Sequence, residues 1–115
     1  MLTDLVAEVI VTPAAWPLAR VMHWRSLLIA RAIENQAWVI ACNSAGDQEG
    51  TKLAGTSMII DPGGVVVAEA GVEPMSIDAE VDVSTVAIVR SEFPVLAHRR
   101  IEIAQRPGRQ TARPD

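Results

Sequence analysis

The chain has 115 residues, half of them hydrophobic, and a formal net charge of −4. That is enough for one domain and short of two, and too apolar for a disordered polymer. A single cysteine, Cys42, excludes an internal disulfide framework and suits a reducing compartment.

The start, "MLTDLVAEVIVTP", carries acids and no basic region, so it does not resemble a signal peptide. Within it "AEVIVTP" has the β-branched run of a short strand buried on both faces and stopped by Pro13. "AAWP" follows as a rigid loop with a large aromatic. Val21 to Gln36 is rich in helix formers and free of Gly and Pro, which predicts a helix. Its apolar residues make no single clean stripe, so cover on more than one side is expected.

"WVIAC", residues 38–42, is a continuous apolar strand of the kind buried on both faces. Residues 43–55, polar and with three glycines, are expected to form a loop. "TSMIIDPGGVVVAEA" predicts a β-hairpin, with its turn at Asp61-Pro62-Gly63-Gly64. "MSIDAEVD", residues 75–82, alternates strictly and predicts a half-buried strand with an acidic outer face. A short helix over "STVAIVRSEF" should end before Pro94. The order β-α-β-β-β-α leaves strands wanting more cover than its helices supply. The chain therefore looks like part of a layered α/β sandwich.

Charge is unevenly placed, about −7 over residues 1–97 and +3 over the last eighteen. An acidic body does not invite nucleic acid, and the proline-bearing, aromatic-free tail looks like a solvated end, mobile from about Gln105. No apolar run approaches the roughly 18 residues of a membrane span. We expect a cytoplasmic protein that binds neither nucleic acid nor membrane.

Cys42 at a strand end invites a nucleophile reading. A free thiol, with a pKa of about 8.5, needs an activating partner, and His23 and His98 are distant in sequence. A small core residue is the simpler reading. A zinc site is poorly started by one Cys and two scattered His, so no metal is expected. "GDQEGTKLAG" lacks the spacing of a phosphate loop.

Four segments in order, "EVIVTPAAWP", "HWRSLLIARAIENQAWVIACNSAG", "GTSMIIDPGGVVVAEA" and "VRSEFPVLAHRR", resemble the nitrilase superfamily of carbon–nitrogen hydrolases. The resemblance runs from about residue 5 to residue 100. It implies a mixed α/β (α+β) fold, the C-terminal half of a four-layer α-β-β-α sandwich, with residues 1–100 a partial domain and 101–115 a basic tail. It implies hydrolysis of a non-peptide C–N bond in amides or nitriles by a Glu-Lys-Cys triad through a thioester, without a cofactor. The family's nucleophile precedes the "EVIVTPAAWP" element, which here falls before Met1. Glu34, Cys42 and Lys52 stand in the wrong order and outside the triad motifs. No catalytic residue is therefore assigned to this chain. The Arg31–Glu34 pair is expected to be a structural anchor and Lys52 to be solvated.

The resemblance also implies that Pro13, Ala14, Ala15 and Trp16, with Asn43, wall the substrate site; Trp16 as a packing residue for the next helix is the alternative. The expected function is a carbon–nitrogen hydrolase acting on a small amide or nitrile only when an N-terminal half completes it. The alternative is a non-catalytic α/β interaction module, or half of a split enzyme. Self-association or a homo-oligomer is expected in either case.

Overall fold

The computed structural model describes residues 7–95, so the tail over 101–115 and the mobility expected there lie outside the described residues. The chain forms β1 (Val9–Ala14), a helical turn (Leu18–Arg20), α1 (Val21–Asn35), β2 (Trp38–Asn43), β3 (Ala45–Gln48), β4 (Thr51–Ala54), β5 (Met58–Ile60), β6 (Val66–Glu69) and α2 (Ser84–Glu92). Four strands make one sheet in the order β1-β2-β5-β6, and β3 and β4 pair as a separate hairpin. The β1-β2 pair is parallel and the other sheet neighbours are antiparallel. Parallel neighbours require a crossover, and α1 is that crossover.

The single-stripe rule reasserts itself in α1. Trp24, Leu28, Ala32 and Asn35 are buried, at the four-four-three spacing of one helix face. Leu27 and Ile33, at 47% and 51% exposure, are not covered, so the expected second covered side is absent among the described residues. Trp24, Leu28 and Ala32 close over Val39, Ala41, Met58 and Ile60 from the sheet. Each large apolar side chain buried there contributes roughly 1.5–3 kcal/mol. The helix ends on Gln36, whose φ of 49° is left-handed, and the amides of Gln36 and Ala37 return to Ile33 O and Ala32 O.

The opposite face of the sheet carries a smaller core, Trp38, Ile59 and Val86, with Ile77, Ala79 and Val81 packed against it. The strand expected over 75–82 is therefore corrected in two respects. From Ser76 to Asp82 its side chains alternate between exposed and half-buried as foreseen, but Met75, expected to face inward, is 59% exposed, and the segment joins no ladder among the described residues. α2 follows it and stops before Pro94 as expected.

Three further corrections concern the β elements. β1 runs through Pro13, paired with Cys42, because an edge strand tolerates a residue without an N–H. β1 is also not buried on both faces; Val11 is 66% exposed. The expected loop over 43–55 is mostly the β3-β4 hairpin, turning at Glu49 and Gly50, both at positive φ. Its polar residues hid the strands: Asp47, Gln48, Thr51 and Lys52 at its outer end are exposed and show no hydrophobic alternation, and only Leu53 and Ala54 at its base are buried.

The Asp61–Gly64 turn forms as expected. Asp61 Oδ1 accepts the amides of Gly63 and Val65 at 2.9 and 3.0 Å. Gly64 sits at φ +90°, where a Cβ would meet the Ile33 side chain at 2.6 Å. Only glycine serves there, both for its dihedral and for the approach of α1.

Candidate functional site

The carboxyl end of the parallel pair is where β1 and β2 release their chains into loops. Ala14 and Asn43 face each other there, and the "AAWP" segment and Ser44 leave side by side. Asn43 is 6% exposed, and its side chain is fully engaged. Its Oδ1 accepts the Trp16 amide at 2.6 Å, and its Nδ2 donates to Trp16 O at 3.2 Å and to Gly55 O at 3.0 Å. Its backbone amide donates to Ser57 Oγ at 2.9 Å. One amide side chain thus ties together the end of β2, the loop after β1 and the linker from β4 to β5. Such a network is stiff because each buried polar group has a partner.

Trp16 is held at several points. Beyond the Asn43 bonds, its carbonyl accepts the Ala54 amide at 2.8 Å and its indole Nε1 donates to Arg20 O at 2.6 Å. Its ring lies 6.0 Å from the Trp24 ring, tilted by 39°. It packs on α1 through Trp24, the second of the two readings weighed for it, and it also lines a cleft of about 590 Å³ between α1 and β1. Ile10, Thr12, Trp24, Leu28 and Arg31 complete most of that wall. Ala14 packs against the α1-side core, whereas Pro13 and Ala15 are exposed at the same strand end. The structure thus gathers Pro13 to Trp16 and Asn43 in one place. Trp16 alone of the five lines the cleft, and Asn43 is the clamp behind it.

Two contributors were not foreseen. Trp24 Nε1 donates to Thr56 O at 2.8 Å, which pins the β4-β5 linker to α1. Gly55 and Thr56 both take positive φ, at 56° and 54°. A Cβ on Gly55 would lie 2.6 Å from Val72 O, and Thr56, left-handed without being glycine, is held by its Oγ1–Ala54 O bond at 2.8 Å. Consecutive left-handed residues cost of order 1–3 kcal/mol for each that is not glycine, so the surrounding bonds must over-determine them. The only sequence signal was Gly55 itself.

Cys42 is a correction. It was expected in the core but is exposed, because the register turns it to the sheet face opposite α1, beyond the reach of Ile77 to Val81. Glu34, Cys42 and Lys52 lie on α1, β2 and β4, and no bond joins them among the described residues. Lys52 is exposed as expected. The Arg31–Glu34 contact exists at 3.4 Å, but both side chains are more than half exposed, so it anchors little. The anchoring is done by Arg90, which donates from α2 to Ala7 O at 2.8 Å and to Asn35 O at 3.2 Å. Among the described residues no group of three His, Cys, Asp or Glu side chains could hold a metal ion, and no helix is long and apolar enough to cross a membrane.

The family model described as carbon-nitrogen hydrolase matches residues 3–91. The chain belongs to the carbon-nitrogen hydrolase family. It is 52% identical over 89 residues to a 2-oxoglutaramate amidase of Bacillus subtilis, covering 77% of this chain and 34% of that one. It is 46% identical over 85 residues to an omega-amidase of Yersinia enterocolitica, covering 70% and 32%. Among solved carbon-nitrogen hydrolases, a superfamily protein of Xanthomonas campestris aligns with a TM-score of 0.79 and 31% identity, over 84% of this chain and 37% of that chain. Saccharomyces cerevisiae Nit3, of the nitrilase superfamily, aligns with a TM-score of 0.77 and 32% identity, over 86% and 37%. The mixed α/β fold expected from the sequence is the one these neighbours share. The chain spans about a third of the length of the curated relatives it matches.

Proposed function

We propose that this chain is the part of a carbon-nitrogen hydrolase that scaffolds and walls an amide-binding site, with a separate portion of the domain supplying the Glu-Lys-Cys triad. The observation carrying this reading is the Asn43 clamp, which spends a buried amide on fixing the Trp16 loop at the strand end. Rigid placement of a wall is what a hydrolase needs when small misplacements are costly in rate. Trp16 offers a flat apolar surface, and the small Ala14 and Ala15 beside it leave room for substrate. Identity to proteins named 2-oxoglutaramate amidase and omega-amidase supports a small ω-amide of a dicarboxylic acid as substrate. No cofactor enters this scheme. The exposed thiol of Cys42 suits the reducing cytoplasm, and the exposed Val11 favours association with a partner or another copy.

The test is ammonia release from 2-oxoglutaramate. The chain alone is expected to show none above background. Co-expressed with the portion of the Bacillus subtilis relative outside the matched 89 residues, it is expected to release ammonia, and Trp16→Ala should then raise KM. Turnover by the chain alone, abolished in Cys42→Ser, would overturn the reading.

A further inference from the structure

Met22, Met58 and Met75 lie among the described residues, and their sulfurs meet different surroundings. Met58, in β5, is fully buried. Met22, in the first turn of α1, is 74% exposed, and its sulfur accepts no hydrogen bond among the described residues. Met75 is exposed as well, yet its Sδ accepts the Gly71 amide at 3.3 Å. The thioether thus closes a turn from Gly71 to Met75, in which Pro74 restricts the backbone just before the side chain folds back. That turn is fastened to the strained linker behind the candidate site. Gly71 O accepts the Thr56 amide at 2.9 Å, and the Ala70 amide donates to Ser57 O at 2.8 Å.

A thioether sulfur carries two lone pairs, on opposite sides of its C–S–C plane, and an oxidant can take either. In a chiral chain the two products are distinct sulfoxide epimers, each repaired by its own reductase. At Met75 the Gly71 N–H engages one lone pair, and its nitrogen fills the space on that side. The exposure of the side chain leaves the other open to solvent. We propose that Met75 is a modification site at which hydrogen peroxide forms one sulfoxide epimer, a substrate for only one of the two stereospecific reductases. The open lone pair attacks a peroxide oxygen. An S–O bond forms as the O–O bond breaks, and the sulfur gives up two electrons to the peroxide. The proton on the transferred oxygen passes to the departing hydroxide, releasing water. The new polar group stands two hydrogen bonds from Thr56, in the linker that Trp24 and Asn43 pin.

The test is limited oxidation of the full chain with hydrogen peroxide, then peptide mapping with chromatographic separation of the epimers. In the native chain Met75 should carry at least about a fivefold excess of one epimer, Met22 should give both within about twofold, and Met58 should stay reduced. Denatured in urea before oxidation, the chain should give both epimers of Met75 in comparable amounts. One stereospecific reductase should restore Met75 in the natively oxidised chain, and the other should leave it oxidised. Gly71→Pro removes the blocking N–H and should level the epimers while Met58 stays reduced. Gly71→Ala keeps the N–H, and a Cβ there meets nothing within 4 Å, so the excess should persist. Comparable epimers at Met75 in the native chain, or the same excess after denaturation, overturn the inference. An excess that survives Gly71→Pro overturns it too, and so does oxidation of Met58 alongside Met22, which would show that the turn is not held in solution.

Discussion

Asn43 and Cys42 are neighbours on β2 and face opposite sides of one sheet. On the α1 side, Trp24, Leu28 and Ala32 seal Val39, Ala41, Met58 and Ile60, all at 5% exposure or less. On the other side, cover from residues 77–81 and α2 reaches Trp38 and Ile59 and stops short of Val11 and Cys42. The same strand is core on one face and unfinished on the other. A sheet face is therefore a better unit than a strand for asking what this chain completes by itself.

The contrast can be broken most forcefully at Trp24. Truncation to alanine removes the largest side chain of the sealed face and the bond to Thr56 O, and should cost about 3–5 kcal/mol in denaturant unfolding. Val11→Ala, on the open face, should cost about 0.5 kcal/mol or less. Equal losses at the two positions would mean that the faces do not differ.

Asn43→Ala comes next. It strands the Trp16 amide and the Gly55 carbonyl, and a loss of about 2–3 kcal/mol is expected from the same measurement. Asn43→Asp should recover little, since a carboxylate cannot donate to Trp16 O and Gly55 O.

The rim of the sealed face carries a two-bond ion pair, Arg25 to Glu69, with oxygens at 2.7 and 2.9 Å. The Arg25 hydrogen bond and charge hold the Glu69 carboxyl below its ordinary range, and the same pairing raises Arg25. A carboxyl depressed in the folded state stabilises above its unfolded pKa, and that stabilisation is lost as pH falls through the folded value. The pair is partly exposed, so its worth is about 1 kcal/mol or less. Melting curves from neutral pH into the acid range should show Glu69→Gln less stable than the parent at neutral pH and level with it in strong acid.

The smallest effect belongs to Cys42. As an exposed side chain it should react with a thiol reagent about as fast folded as denatured, and Cys42→Ser should shift stability by no more than about 0.5 kcal/mol. Slow labelling in the native state would show that the open face is closed in solution.

What the sequence disclosed follows from how local the signals were. The α1 helix, the β2 run and the Asp61–Gly64 turn rest on propensity, continuous apolarity and Gly-Pro chemistry, each contained within a few neighbouring residues. The β3-β4 hairpin escaped because Asp47, Gln48, Thr51 and Lys52 give neither face an apolar edge. Cys42 was misjudged because exposure depends on which face a register selects and how far the cover extends, and neither is written in "WVIAC". Asn43 was named among the candidate wall residues by resemblance alone. Its bonds to Trp16 and Gly55, 27 and 12 residues away, were beyond any local pattern.

The β3-β4 turn offers a practical handle. Glu49 and Gly50 are exposed, and a Cβ on Gly50 would meet nothing within 4 Å. Meanwhile the base of the same hairpin is fastened to the Trp16 loop by the Ala54 amide and the Pro17–Leu53 bridge. A short reporter peptide spliced in at this tip would hang clear of both sheet faces while its root stayed in register with the candidate site. Its fluorescence could then test the proposed joining to a triad-bearing portion of the domain with the cysteine left untouched.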